Sequence, residues 1–90
     1  QYFETGNAKN SVVSNGCLIE GSLEHSVVGR GCIIKTGAVI KNCVVLSDAY
    51  IGENVHIENR VVDKHAKITH VKELTSSEDR PGYVRRNDTL

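Results

Sequence analysis

The sequence predicts an all-β fold, a hexapeptide-repeat parallel β-helix of about four coils, and three observations carry that prediction. First, Asn10-Ser11-Val12-Val13 recurs as His25-Ser26-Val27-Val28, Asn42-Cys43-Val44-Val45 and Asn59-Arg60-Val61-Val62, at spacings of 15, 17 and 17 residues. Second, Cys17-Leu18-Ile19 recurs on the same spacings as Cys32-Ile33-Ile34, Ala49-Tyr50-Ile51 and Ala66-Lys67-Ile68. Third, Ala38-Val39-Ile40 and Val55-His56-Ile57 form another echo, which reads as defective in the first repeat around Gly21-Ser22-Leu23. Each repeat therefore divides into three short units with an aliphatic residue at position i and, usually, a small one at i−2.

The pattern has a direct physical reading. In a strand, i and i−2 face one way and their neighbours face the other. Three short strands joined by turns make one triangular coil, and the next coil stacks on it about 4.8 Å away. The aliphatic residue fills the prism, and the residue at i−2 sits where the walls converge. Three inner columns follow: Val13/Val28/Val45/Val62, Ile19/Ile34/Ile51/Ile68 and Ile40/Ile57. Corner residues fall between them: Ser14-Asn15-Gly16, Gly29-Arg30-Gly31, Lys35-Thr36-Gly37, Ser47-Asp48 and Gly52-Glu53-Asn54. Gly and Asn accept the left-handed backbone values such corners need.

Taken in order, residues 1–9 are a lead-in whose Tyr2 and Phe3 are expected to cover the open end of the first coil or to touch upstream polypeptide. Coils occupy residues 10–74. The first, 10–24, is two residues short, 25–41 and 42–58 are regular, and the coil from 59 decays after Ile68, with Leu74 as its last inner residue. Residues 75–90 change character and are expected to fold back as a C-terminal cap. Within them Arg80-Pro81-Gly82-Tyr83 has the type II turn order, and Tyr83-Val84-Arg85 reads as a short closing strand.

Ninety residues make a single domain. A solenoid tolerates that length because its stability comes from neighbour-to-neighbour stacking. Eleven basic and eleven acidic residues cancel, so no field for nucleic acid or a membrane surface is expected. The apolar runs are too short for a membrane span or a signal sequence. The chain has no Met and starts at Gln1, which leads to the expectation that it is part of a longer protein.

Cys17, Cys32 and Cys43 all fall at the small i−2 position, and Cys17 and Cys32 share a column. They read as buried, reduced side chains, consistent with a cytoplasmic location. The odd count and the lack of a CxxC pair argue against a disulfide framework and against a metal site. The sequon Asn87-Asp88-Thr89 would be silent in that compartment.

The outward positions carry the functional expectation. Val12, Val27, Val44 and Val61 stack into one apolar ladder on the outside of a wall, and Leu18, Ile33 and Tyr50, followed by Lys67, form a second. A continuous apolar stripe on an outer wall marks an interface. Four His residues, at 25, 56, 65 and 70, invite an enzyme reading, because hexapeptide acyltransferases use a β-helix His as general base. His56 or His25 is the candidate for that alternative. None has an evident carboxylate partner at fixed spacing, so they read as surface histidines, and no catalytic residue is assigned. Gly29-Arg30-Gly31 opens no helix and reads as a corner, not a phosphate loop. Arg80, Arg85 and Arg86, with Lys64, Lys67 and Lys72 near the same end, are the candidates for an anionic effector.

The phrases NSVVSNGC, IGENVHIEN and VVDKHAKI resemble the C-terminal β-helix domain of ADP-glucose pyrophosphorylase (glucose-1-phosphate adenylyltransferase) over most of residues 5–79. The short tail resembles that of the regulatory, GlgD-like subunit. The resemblance implies a left-handed coil, an exception to the usual right-handed crossover. It implies a parent in glycogen synthesis that joins ATP and glucose 1-phosphate into ADP-glucose and pyrophosphate. It also implies that ATP and Mg2+ belong to an upstream nucleotidyltransferase domain, with no cofactor in this stretch. The β-helix would then pack on that domain, join sister subunits and contribute to effector binding.

Overall fold

In the computed structural model the described residues are 3–4, 7–76, 79 and 82–90, with 3–4 and 7–9 described by backbone alone. The first rung is β1 (Phe3–Glu4), β2 (Asn7–Lys9) and β3 (Val12–Val13). The second is β4 (Leu18–Ile19), β5 (Ser22–Glu24) and β6 (Val27–Val28). The third is β7 (Ile33–Ile34), β8 (Val39–Lys41) and β9 (Val44–Val45). The fourth is β10 (Tyr50–Ile51), β11 (His56–Glu58) and β12 (Arg60–Val62), and the fifth is β13 (Lys67–Ile68), β14 (Glu73–Thr75) and β15 (Gly82–Val84). Equivalent strands pair in parallel, giving three five-stranded walls: β1-β4-β7-β10-β13, β2-β5-β8-β11-β14 and β3-β6-β9-β12-β15. They are called the first, second and third walls below. The chain is an all-β parallel solenoid, consistent with a left-handed β-helix.

The inner columns are those read from the sequence, and they are sealed. Ile19, Ile34, Ile51 and Ile68 are fully buried, as are Val28, Val45 and Val62. The i−2 residues Cys17, Cys32, Ala49 and Ala66 stand beside the first column, also buried. Arg60 is the exception, a long side chain where Ser11, Ser26 and Cys43 stand in the rungs before it. Gly82 makes the room, since a methyl there would stand 2.7 Å from Arg60 Cζ. Arg60 Nε is buried without a hydrogen-bond partner among the described residues.

The corners show why Asn, Asp, His and Gly alternate at fixed places. Gly16, Gly31, Asp48, His65 and Asn87 all have positive φ between the third and first walls. Asn10, His25, Asn42 and Asn59 do so between the second and third. Asn and Asp tolerate this region better than other side chains. In the second series Asn42 Nδ2 donates to Asn59 Oδ1 at 2.7 Å, and Asn59 Nδ2 to the Ser76 carbonyl at 2.5 Å.

Three sequence expectations are corrected. The third echo is not defective in the first repeat: Leu23 is buried and pairs in register with Ile40, itself paired with Ile57. The two missing residues come out of the corner between Ile19 and Leu23, where Gly21 passes so close to the next rung that a methyl would overlap Ala38 O. The lead-in is a rung, not a cover: Phe3–Glu4 pairs with Leu18–Ile19, and Asn7–Lys9 with Ser22–Glu24. Tyr2 lies outside the described residues.

The tail does not fold back either. Gly82–Val84 is laid in register on Arg60–Val62, with Val84 buried, so the column continues past Leu74. Thr89 then bridges Lys67, and the partly buried Leu90 packs against the core. The Leu90 carbonyl accepts from Thr69 and His70 N–H at 2.8 and 2.9 Å. In this register the rung both pairs the exposed strand edge of Arg60–Val62 and buries Val84 over Val62 in the inner column. The proposed turn at Arg80-Pro81 lies outside the described residues.

Candidate functional site

The outer face of the third wall is one unbroken apolar column. Val12, Val27, Val44 and Val61 are register neighbours, and Tyr83 extends them by a further rung. Exposure falls along it, from 63% at Val12 to 46% at Val27 and 39% at Val44, with Val61 half-buried and Tyr83 at 55%. On the neighbouring first wall Leu18, Ile33 and Tyr50 form a second column in register, each half-buried, ending in exposed Lys67. The two columns flank one corner and are most apolar toward the N-terminal rungs. The second wall carries the ladder Ser22, Val39, His56, Glu73, polar except at Val39, beside Glu24, Lys41, Glu58, Thr75.

Tyr83 is tied down at its polar tip. Its hydroxyl donates to Asp63 Oδ2, while Asp63 Oδ1 accepts the Lys64 N–H at 2.7 Å. The hydrogen bond from Tyr83 holds the Asp63 carboxyl below its ordinary range, and the same bond pushes the Tyr83 phenol up. The aromatic ring thus stays on the apolar column while its hydroxyl is satisfied.

The histidines do not converge. His25 is an exposed corner residue with positive φ, and His56 stands on the second wall two rungs on. His56 does have a carboxylate partner, contrary to the sequence expectation: its Nε2 lies 2.6 Å from Glu58 Oε2. The signal was available, since i and i+2 on one strand share a face. His65 Nδ1 stands 4.0 Å from Asp48 Oδ2, and His70 Nδ1 lies 3.0 Å from Thr69 Oγ1. Among the described residues no group of three or more His, Cys, Asp or Glu could hold a metal ion.

The cysteines are inner-wall packing. All three are buried and unpaired, and each thiol points to a carbonyl: Cys17 to Gly29 O at 2.9 Å, Cys32 to Leu46 O at 3.0 Å, Cys43 to Lys41 O at 3.0 Å. Burial pushes the Cys32 thiol up to about 11 and raises Cys43 as well.

The basic tail divides. Arg80 lies outside the described residues. Arg85 Nε stands 3.8 Å from Asp88 Oδ2 with most of its side chain in solvent, and Arg86 is exposed nearby. Lys72 Nζ donates to the Glu53 and Thr69 carbonyls at 2.9 and 3.0 Å, so it closes a corner. Lys67 lines an open polar depression with His65, Asn87 and Thr89, a grouping the sequence reading did not make.

Known proteins share this pattern. The chain is 42% identical over 65 residues, 72% of its length, to a glucose-1-phosphate adenylyltransferase of Fervidobacterium nodosum, covering 16% of that protein. It is 36% identical over 64 residues, 71% of its length, to that of Acetivibrio thermocellus, covering 15% of it. Against the Bacillus cytotoxicus protein of the same name the figures are 39% over 59 residues, 66% of the chain and 16% of the relative. The chain thus spans about a sixth of the length of the curated relatives it matches. Residues 2–87 match the family model described as GlmU-like, C-terminal hexapeptide. With that match over nearly its whole length and the sealed hexapeptide columns to go with it, the chain belongs to the GlmU-like C-terminal hexapeptide family.

Proposed function

We propose that this chain is the packing and assembly β-helix of a glucose-1-phosphate adenylyltransferase. The observation that carries the reading is the in-register outer column Val12/Val27/Val44/Val61 on a solenoid similar to part of proteins of that name. An apolar strip on a sheet face favours a protein partner over solvent. The partner is an upstream nucleotidyltransferase domain or a sister subunit. The parent joins ATP and glucose 1-phosphate into ADP-glucose and pyrophosphate in glycogen synthesis. In this reading ATP and Mg2+ bind upstream, and this stretch contributes no catalytic residue. Three buried, unpaired thiols fit a reducing cytoplasm. An acyltransferase role through His56 or His25 is not favoured, since the relatives the chain matches are named glucose-1-phosphate adenylyltransferases.

The test is Val27→Lys combined with Val44→Lys. Neither side chain lines the core, so circular dichroism should be unchanged. Each keeps 39–46% of its surface to bury, worth roughly 0.6–1.4 kcal/mol per side chain, and the lysines add a desolvation cost. Sedimentation of the full parent should show weakened assembly, or its two domains should become separable by limited proteolysis. Intact assembly and intact domain packing in the double variant would remove the interface reading.

A further inference from the structure

Cys17 and Cys32 are stacked neighbours beside the inner column of the first wall. Leu18 pairs in register with Ile33, so the cysteines just before them stand one rung apart in the same column. Both are buried and both carry free thiols. In-register residues on neighbouring rungs lie about 4.8 Å apart. That falls inside the Cα separation of about 4.4–6.8 Å that a disulfide spans, and just beyond its usual Cβ separation of about 3.5–4.5 Å. The Cys17 thiol already leans toward the rung of Cys32, since it donates to Gly29 O at 2.9 Å. Cys43 has no such neighbour, because its column reads Ser11, Ser26, Cys43, Arg60.

The corner ahead of the pair is the pliable one. Gly16 and Gly31, both at positive φ, precede Cys17 and Cys32, whereas Asp48 and His65 hold the same place before Ala49 and Ala66. Corner glycines and cysteines thus occur on the same two rungs. Glycine accepts a wider range of backbone angles, which lets this corner draw the two Cβ atoms together. It is also thin: Gly16 is exposed, and an added Cβ there would meet nothing nearer than Gly31 N at 3.8 Å. Cys17 therefore lies behind a corner with no side chain at Gly16 to screen it from a small solute. Burial is the main cause of the raised Cys32 thiol, at about 11, and the neighbouring Cys17 adds to it. Cys32 stays protonated and is a poor first nucleophile.

We propose that Cys17 and Cys32 are a redox pair, which a peroxide joins into a disulfide across two rungs and a dithiol releases. The Cys17 sulfur, as thiolate, attacks one oxygen of hydrogen peroxide; the O–O bond breaks, Cys17 becomes a sulfenic acid, and the first water leaves. The Cys32 sulfur then attacks the Cys17 sulfur; the S–S bond forms, the S–O bond breaks, and the Cys32 proton leaves with the hydroxyl as the second water. Two thiols are oxidised by two electrons and one peroxide is reduced to two waters. The link closes the loop from 17 to 32 and staples the second rung to the third beside the apolar columns. The inference stands on these residues whatever enzyme the parent proves to be.

The test treats the folded chain with hydrogen peroxide, blocks remaining thiols in denaturant and maps the tryptic peptides. Cleavage at Arg30, Lys35 and Lys41 leaves Cys17, Cys32 and Cys43 on separate peptides. The expected product is a link between peptides 10–30 and 31–35, with an intact mass lower by two hydrogens, unchanged circular dichroism and reversal by dithiothreitol. The oxidised chain should unfold at a higher urea concentration than the reduced one. Cys43→Ser should keep the link. Cys32→Ser should lose it and accumulate a sulfenic acid at Cys17 that dimedone traps, while Cys17→Ser should lose it with nothing trapped at Cys32. Oxygen gained at the sulfurs without a link, a link through Cys43, or a link that forms only in urea would overturn the pair.

Discussion

Gly21→Ala is the sharpest probe of this architecture, because it adds a single methyl where the short first repeat is drawn tight. The added carbon would overlap Ala38 O and stand 2.9 Å from Lys35 O and 3.1 Å from Ala38 C, all backbone atoms of the next rung. Those atoms cannot rotate away as a side chain would. Ala38 O also accepts the Ser22 N–H at 2.8 Å, so relief by sliding the rungs apart strains a ladder hydrogen bond. Overpacking of this kind costs about 1–3 kcal/mol, and a lost buried hydrogen bond about 1–3 more. The alanine recovers roughly 0.4–1 kcal/mol by stiffening the unfolded chain. The net expectation is roughly 1–6 kcal/mol of destabilisation, against the about 5–15 kcal/mol available to a domain. Urea unfolding followed by circular dichroism measures it. Gly16→Asn is the control: its φ is +79° but the nearest atom to an added Cβ is 3.8 Å away, so only a small change is expected. A Gly21→Ala protein within about 0.5 kcal/mol of the parent chain, the scatter of neutral surface changes, would refute the tight-corner placement and restore a defective third column.

Ile51→Asp should prevent folding, since Ile51 is fully buried between Ile34 and Ile68 and an unpaired carboxylate there costs several kcal/mol, about the whole stability; a soluble, cooperatively melting variant would count against the register. Cys32, raised to about 11, should resist alkylation at pH 8 in the folded chain and react on unfolding, because only the thiolate attacks. Its folded value lies above the ordinary thiol value of 9.0, so its contribution to stability is full below about pH 9 and lost as pH rises toward 11. Urea midpoints from pH 8 to pH 11 should fall in the parent chain and fall less in Cys32→Ala. Asn59→Gly should lose the two side-chain bonds to Asn42 and Ser76, and Asn59→Ala should lose more, by about 1 kcal/mol, because φ is 56° there; equal melting temperatures for the two would argue against the left-handed corner.

The inner columns and the corners were legible in the sequence because close packing and backbone sterics dictate residue type there. A prism interior admits only aliphatic residues at i, as at Ile34, Ile51 and Val45, and a left-handed corner selects Gly, Asn or Asp, as at Gly31, Asp48 and Asn59. The outward Val ladder followed from the same period of two. The tertiary structure decided what depends on distances between rungs. The position of the missing residues was decided by the approach of Gly21 to Ala38, a backbone contact that no local pattern encodes. The N-terminal rung was hidden because the residues in register with Ile19 and Leu23 there are Glu4 and Ala8, not the Ile, Leu or Val of the later rungs. The closing strand at Tyr83-Val84 was legible, but its place on the third wall was hidden because ten residues, not five, separate Leu74 from Val84. That same insertion places Asn87 and Thr89 beside His65 and Lys67 across a gap of 22 residues, and a surface grouping of this kind has no packing constraint to write it into the repeat.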